Sequence, residues 1–313
     1  MATRNASLRH LRPNLAALVV AVCALTLAAA TSWAQQTPVD KVPNESRGYS
    51  VFASYTGSAN SLGQVHKLDG AVGYNFNRYV GIDVGLPVYF VHASDASVAN
   101  GFASGNGIGN AYADLTLTFN NVFLNYATSL TVTAPTGDVD RGFSTGRFTY
   151  DWTNHFDRPF PLVRITPFAN VGVANTVSDT HFFVRPFTSL GTVAHLEGGA
   201  TARVFPMIHV GASLYDIIPS GQQKVFSKLI PRVSGMGSPQ GHGRNGAFAN
   251  AHESIGGPGL VSDNGASAWV SARVGKFAYL EAGYTRSMNY HLNTFEFGMG
   301  FDVASIARKA RGR

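Results

Sequence analysis

From Ser50 to Asp302 the chain alternates with a period of two: apolar side chains fall on one parity, small or polar ones on the other, in segments of about ten residues. Successive side chains point to opposite faces only in an extended strand, so this period demands sheets with one apolar side. In 79–91, Val80, Ile82, Val84, Leu86, Val88 and Phe90 share a face opposed by Gly81, Asp83, Gly85 and Tyr89. In 147–155, Phe148, Tyr150 and Trp152 oppose Arg147, Thr149, Asp151, Thr153 and His155. In 292–302, Phe295, Phe297, Met299 and Phe301 oppose Thr294, Glu296, Gly298 and Gly300. In these segments charge falls on the polar parity.

Alternation alone does not choose between a soluble sandwich, apolar side inward, and a membrane barrel, apolar side outward. The connections do. Strands read at 49–56, 65–76, 79–91, 108–119, 122–134, 147–155, 162–176, 187–204, 207–216, 265–275, 277–288 and 292–302 are joined by tight turns alternating with longer loops. The tight turns are Asn77-Arg78, Asn120-Asn121, the Asp157-Arg158-Pro159 corner, Phe205-Pro206 and Gly275-Lys276. The Gly/Ser/Asn-rich connections between them reach their greatest length at 217–264. Short turns on one rim and long loops on the other are the habit of transmembrane barrels. The expected fold is all-β: a transmembrane antiparallel up-and-down barrel of about twelve strands, whose even count puts both chain ends on the short-turn side. Such a closed sheet satisfies its backbone sideways, as hydrocarbon requires.

The flanks fit export to an outer membrane. Arg4, Arg9 and Arg12 precede an apolar run, Leu15 to Ala30, and Ser32-Trp33-Ala34 offers small residues where a signal peptidase reads, so 1–34 is expected to be a cleaved signal peptide. Residues 35–303 form the barrel and 304–313 a basic tail carrying Arg308, Lys309, Arg311 and Arg313. Cys23, the one cysteine, lies in the signal, leaving the mature chain without disulfides. The net charge of +6 resides largely in these two flanks, which argues against a nucleic-acid surface. With 45% hydrophobic residues, 13% charged, 34 glycines and 21 phenylalanines, the chain is a glycine- and aromatic-rich β protein rather than a disordered one. The partners this implies are outer-membrane lipid and a small-molecule solute; the oligomeric state is open.

Gly109-Asn110-Ala111-Tyr112-Ala113-Asp114-Leu115 and Ala134-Pro135-Thr136-Gly137-Asp138 resemble the strand opening and the Pro-Thr-Gly-Asp turn of the outer-membrane, porin-like transporters associated with the phenol meta-degradation pathway. The likeness covers 109–174 and implies passage of small solutes, hydrophobic or aromatic ones among them. The glycine-to-Asp spacing is longer here than in that family, and the chain runs on past Phe301.

On a lumen-facing polar parity, Asp83, Asp114, Asp151, Glu197 and Glu296 fall at middle depth. Arg164, Arg203, Arg273, His155 and His209 fall nearer the short-turn rim. Together with His195 they are the candidate pore lining, either filtering solutes by sign and size or pairing across strands to fill a narrow lumen. His195 and Glu197 share a face, but two residues make no metal or hydrolytic site, and a hydrogen-bonded pair lining the lumen is the simpler reading. His252-Glu253 begins a metalloprotease helix motif that Gly256 breaks. No metal, cofactor or catalytic residue is assigned. The 217–264 segment either folds inward or covers the mouth, or is a surface loop. Tyr79, Trp152 and Tyr284 suit interfacial girdles.

The function expected is a channel or transporter for small solutes rather than an enzyme. Two alternatives stand beside it: a structural or adhesive barrel, and an outer-membrane lipid or lipopolysaccharide hydrolase. The hydrolase would need a Ser/His or His/Asp set at the lipid-facing or upper rim.

Overall fold

The computed structural model describes residues 47–99, 102–121, 123–177, 179, 184–228, 230–231, 253–274 and 278–302. The expected signal 1–34 and tail 304–313 lie outside them. Twelve strands close an antiparallel barrel. They are β1 (Gly48–Asn60), β2 (Gly63–Asn75), β3 (Val80–Ala93), β4 (Tyr112–Asn120), β5 (Asn125–Thr133) and β6 (Thr149–Asp157). There follow β7 (Ile165–Ala174), β8 (Val193–Phe205), β9 (Ile208–Pro219), β10 (Asp263–Val274), β11 (Ala278–Ser287) and β12 (Asn293–Asp302). Each pairs with its sequence neighbour. β12 closes on β1 in a register running from Ser50 opposite Asp302 to Ala59 opposite Asn293, so first and last strands meet at the short-turn rim as the even count requires.

The faces divide as the alternation demands. Ile82, Val84, Leu86, Leu115, Leu130, Val132, Val171, Leu214, Phe295 and Phe297 point outward and are exposed, while Ser54, Thr56, Asp83, Asp114, Asp151, Ser213, Ser267, Thr285, Thr294 and Glu296 point inward and are buried. An apolar exterior round a closed hydrogen-bonded wall is what a bilayer accepts. A soluble sandwich would have buried those leucines and phenylalanines.

Side chains tie the short turns. Asn77 Oδ1 accepts from the backbone N–H of Tyr79 (2.7 Å) and Val80 (3.0 Å), and Asn121 Oδ1 repeats this with Phe123 (2.7 Å) and Leu124 (2.8 Å). An asparagine that bonds its own backbone two and three residues on reverses the chain within a few residues. Above them an aromatic belt runs round part of the rim: Tyr49, Tyr74 and Phe76 in edge contacts, then Tyr79, Phe119, Tyr126 and Phe156 with neighbouring centroids 5.2–6.4 Å apart. Tyr79, Trp152 and Tyr284 all project outward.

Three expectations are corrected. The strand read at 187–204 is two: Phe187–Leu190 leaves the barrel, and β8 begins at Val193. The break falls at Gly191, whose φ of 154° and close approach to the Gln223 carboxamide leave no room for a Cβ. Turns and loops do not alternate strictly, since β1 and β2 run on to meet in a tight turn at Ser61-Leu62 on the long-loop rim. In the 217–264 segment the described parts are not a detached surface loop. Gln223–Ser227 pairs with Phe187–Leu190 on one side and Glu253–Gly256 on the other, forming a small separate sheet.

That sheet and the neighbouring loops settle on the long-loop end of the barrel. Val225 and Phe187 from the sheet, with Val261, Tyr290 and Leu292, pack on the inward-facing Ala174, Val193 and Ile217. Phe143 and Val184 pack on the inward Val65, Tyr89 and Val91. Loop side chains thus pack into part of the upper lumen and cover that end of the wall.

Candidate functional site

Below the cap the wall is polar and joined across strands. Asp83 of β3 stands opposite Asp114 of β4, Asp114 opposite Thr131 of β5, and Thr131 opposite Asp151 of β6. Thr116 and Thr131 hydroxyls each donate to Asp114 at 2.8 Å, and the Thr153 hydroxyl donates to Asp151 at 3.0 Å. His195 Nε2 donates to Asp151 Oδ1 at 2.9 Å. His155 Nδ1 donates to Asn170 Oδ1 at 2.6 Å, and Asn170 Nδ2 donates to Glu197 Oε2 at 2.7 Å. His155 Nε2 lies 3.3 Å from Asp157, whose other oxygen accepts from Asn125 Nδ2 at 2.8 Å.

His195 and Glu197 therefore do not pair with each other; each finds its partner on another strand. Two residues apart on one strand separates them by nearly 7 Å; Glu197 instead stands opposite Asn170 on the adjacent β7, and His195 reaches across β7, over Gly172, to Asp151 of β6. Among the described residues no group of three or more His, Cys, Asp or Glu is placed to hold a metal ion. His252 lies outside them.

The basic residues gather on one arc of the short-turn rim. Arg164 precedes β7, in the turn with φ 57°, and its carbonyl accepts from the Arg203 backbone N–H at 2.9 Å. Arg203 stands opposite His209, and His209 opposite Ser271, two residues from Arg273. Arg164, Arg203 and Arg273 are exposed and His209 is half-buried. Glu296 sits apart from the aspartates, on β12 opposite Thr56 and Gly283, with Glu281 inward on β11 nearby.

Pattern reading gave the charges of the cap no partners. Lys228 is fully buried, its Nζ 3.0 Å from Asp179 Oδ2 and donating to the Arg185 carbonyl at 2.9 Å. The Tyr89 hydroxyl, on the barrel wall, donates to the same Asp179 oxygen at 2.7 Å, and the Lys228 ammonium lies 4.3 Å above the Tyr89 ring. The Arg185 backbone N–H donates to Asp179 Oδ1 at 2.8 Å. Burial pushes the Asp179 carboxyl up, but the cations Lys228 and Lys67 and the bonds from Arg185 and Tyr89 outweigh it and hold it below the ordinary carboxylate value. Burial pulls the Lys228 ammonium below the usual lysine value, against the pull of Asp179. On β2, Lys67 and Asp69 (3.8 Å) extend this charge into the lumen, where the Tyr112 hydroxyl donates to Asp69 at 3.1 Å. The alternation of β2, with Val65, Lys67, Asp69 and Ala71 on one parity, could have revealed this last pair; no local period marks Asp179 or Lys228.

The two segments that carry the family resemblance touch. The Ala111 N–H donates to Thr136 Oγ1 at 2.7 Å and the Gly137 N–H to Asn110 Oδ1 at 3.0 Å, fastening the opening of β4 to the turn that follows β5. On the outer face His66 Nδ1 accepts from the Tyr55 hydroxyl at 2.7 Å and Nε2 lies 3.2 Å from Gln64 Oε1. The two histidines of the lumen wall with a close carboxylate, His155 and His195, face inward.

No protein-family model matches the chain, and no curated protein matches it either. Solved structures similar in shape include an outer-membrane channel from Pseudomonas putida F1, 10% identical, covering 80% of this chain and 92% of that one with a TM-score of 0.49. The NanC porin is 6% identical and covers 80% and 98% with a TM-score of 0.47. The translocator domain of the autotransporter NalP from Neisseria meningitidis is 11% identical and covers 93% and 98% with a TM-score of 0.43. The likeness is one of barrel shape.

Proposed function

We propose that this chain is an outer-membrane channel for small solutes whose outer mouth is closed by its own loops. One observation carries the reading: round the closed barrel the parity that is mainly polar or small turns toward an enclosed interior and the parity that is mainly apolar turns outward. The acid row on β3, β4 and β6, and the basic arc at the short-turn rim, set charges of both signs along the lumen. The resemblance at 109–115 and 134–138 supports small hydrophobic or aromatic solutes. The test is reconstitution of the full chain, purified from outer membranes, into planar bilayers and liposomes. Discrete conductance steps and solute-dependent swelling are expected; a folded preparation that stays electrically silent and solute-tight defeats the proposal.

A structural barrel is the second reading, and it too has an observation in its favour. The inward charges Asp151 and His195, Lys67 and Asp69, and Asp179 and Lys228 are paired, and loops cover the long-loop end. The two readings part on the cap. In a gated channel, loosening it raises conductance; in a structural barrel it does not.

A further inference from the structure

Large apolar side chains such as Leu115, Leu130, Trp152 and Phe297 stand out from much of the outer face, and on one side of the barrel they give way. There the outward positions of β9 and β10 are Ala212, Ala266 and Ala268, and the wall is hollowed into a groove of about 560 Å³. Leu214 of β9, 69% exposed, stands along one side, and Tyr284 and Arg286 of β11 along the other. Leu214 lies opposite Ala266 and Ala266 opposite Arg286, so two strand spacings, roughly 10 Å between backbones, separate the walls over a floor of alanine. Val270, with Val210 opposite it, closes the lower end. Once the side chains of both walls are allowed for, the trough admits an acyl chain but not a helix, which is about 10–12 Å across.

The upper end of this groove is polar. Arg286 sits there half-buried, and two residues further up, on the same outward parity, Asp216 of β9 and Asn264 of β10 are exposed and face each other. An outer face that turns from apolar to polar marks the boundary between hydrocarbon and headgroups. Tyr284 suits that depth: its ring lies 5.1 Å from Phe295 and its hydroxyl donates to Asn293 Oδ1 at 2.8 Å. Arg286 Nη1 donates to the same Asn293 oxygen at 2.8 Å and to the His291 carbonyl at 3.1 Å. Both acceptors are neutral, and among the described residues no carboxylate forms an ion pair with this guanidinium. A cation held at the edge of hydrocarbon without an internal counter-charge is answered by an anion from the membrane.

We infer that the groove between Leu214 and Tyr284 holds one acyl chain of an anionic, phosphate-bearing lipid, with the phosphate against Arg286. The guanidinium takes phosphate through a planar fork of donors, and here its bonds to the barrel leave from Nη1 alone. Lipid tails slide over a smooth wall, whereas a hollow walled on both sides and closed below fixes one of them. Its volume falls in the range of pockets that hold small ligands. A second copy of the chain is the rival occupant, and charge argues against it: a twofold contact through the groove would bring two Arg286 side chains together with no anion between them. The site needs only the apolar exterior of the barrel and is independent of whether the lumen conducts.

The test is native mass spectrometry of the full chain folded in dodecyl maltoside and mixed with dimyristoyl phosphatidic acid or with dimyristoylglycerol, which differ only in the phosphate. One phosphatidic acid per barrel is expected to survive removal of the detergent, held about tenfold more tightly than the diacylglycerol. Arg286→Gln should bring phosphatidic acid down to the diacylglycerol level. Ala268→Leu fills the floor, leaves Arg286 in place and should weaken retention of both lipids. Inorganic phosphate should not displace the lipid, since it leaves the groove empty. Each variant is checked for the heat-modifiable migration of a folded barrel, and one that loses it is replaced by Arg286→Met or Ala268→Val, for which the same losses are expected. Equal retention of the two lipids, or unchanged retention in folded Arg286→Gln, overturns the role of the phosphate and with it the inference. Unchanged retention in folded Ala268→Leu, or displacement by inorganic phosphate, overturns the groove. A lipid-free dimer that Ala268→Leu splits into monomers would assign the groove to a second copy instead.

Discussion

The buried ammonium of Lys228 lies 3.0 Å from the Asp179 carboxylate, joining two loops that leave the barrel between different strands, and both are fastened to the wall by Tyr89, whose hydroxyl reaches the same oxygen. An ion pair with no solvent round its cation holds only while both members are present. Removing one leaves a buried charge unanswered, at a cost of about 3–5 kcal/mol. Lys228→Met is therefore expected to loosen the cap and raise open probability in single-channel recordings. Adding Asp179→Asn should restore much of the closed state, since the stranded charge is then gone. A Lys228→Met barrel with the wild-type open probability would show that the latch does not control the mouth.

The same carboxylate sets the pH behaviour of the cap. Because Asp179 is held below the ordinary carboxylate value in the folded state, its contribution is fully present above that ordinary value, about 4. It is lost as pH falls through the lower, folded one. The cap should hold through neutral and mildly acid pH and release only in strong acid. Conductance recorded from pH 7 downward checks this; a midpoint near pH 6 would assign the gate to another group.

Leu130 tests which face meets lipid. It is outward and exposed, in the middle of β5. Leu130→Arg should cost about 2–4 kcal/mol, the penalty for arginine near the bilayer midplane. The loss is read as a lower urea midpoint for unfolding from lipid vesicles. Were Leu130 packed in a protein core or facing the lumen, bilayer thickness would not change the result. In thinner lipid the penalty should shrink.

Asp151 and His195, 2.9 Å apart on β6 and β8, bridge across β7. A double-mutant cycle with Asp151→Asn and His195→Ala, measured by the same unfolding, should show a coupling of about 0.5–3 kcal/mol. Additive single effects would mean that the contact contributes nothing. Gly172 lies between them, and a Cβ there would collide with the imidazole, so Gly172→Ala should reproduce most of the His195→Ala loss.

Much of the barrel was legible in advance because a strand's two faces are written at every second residue. Val80 to Phe90 and Phe295 to Phe301 needed no partner to declare which side was apolar, and the asparagines at 77 and 121 carry in one side chain the bonds that reverse the chain. Where local pattern misled, the cause was a residue whose role depends on a distant neighbour. Gly191 reads as a tolerable glycine inside an apolar run until Gln223 arrives beside it. The aspartates at 83, 114 and 151 were visible as inward charges, but that they form one row depends on the stagger of four strands. The basic arc of Arg164, Arg203, His209 and Arg273 follows from the same stagger.

The amino-acid order by itself determined that this chain makes strands, about how many, and which parity of each turns to lipid, since those are properties of short segments in a medium without water. Tertiary structure alone decided that loops pack into the long-loop end of the barrel, that Asp179 meets Lys228 and Tyr89, and that Phe168 and Trp269 touch over two glycines. Tyr89 and Asp179 lie 90 residues apart in sequence, and Asp179 and Lys228 lie 49 apart. No periodicity spans such distances; only the closure of the sheet, which fixes every strand's height relative to the rest, brings them within reach.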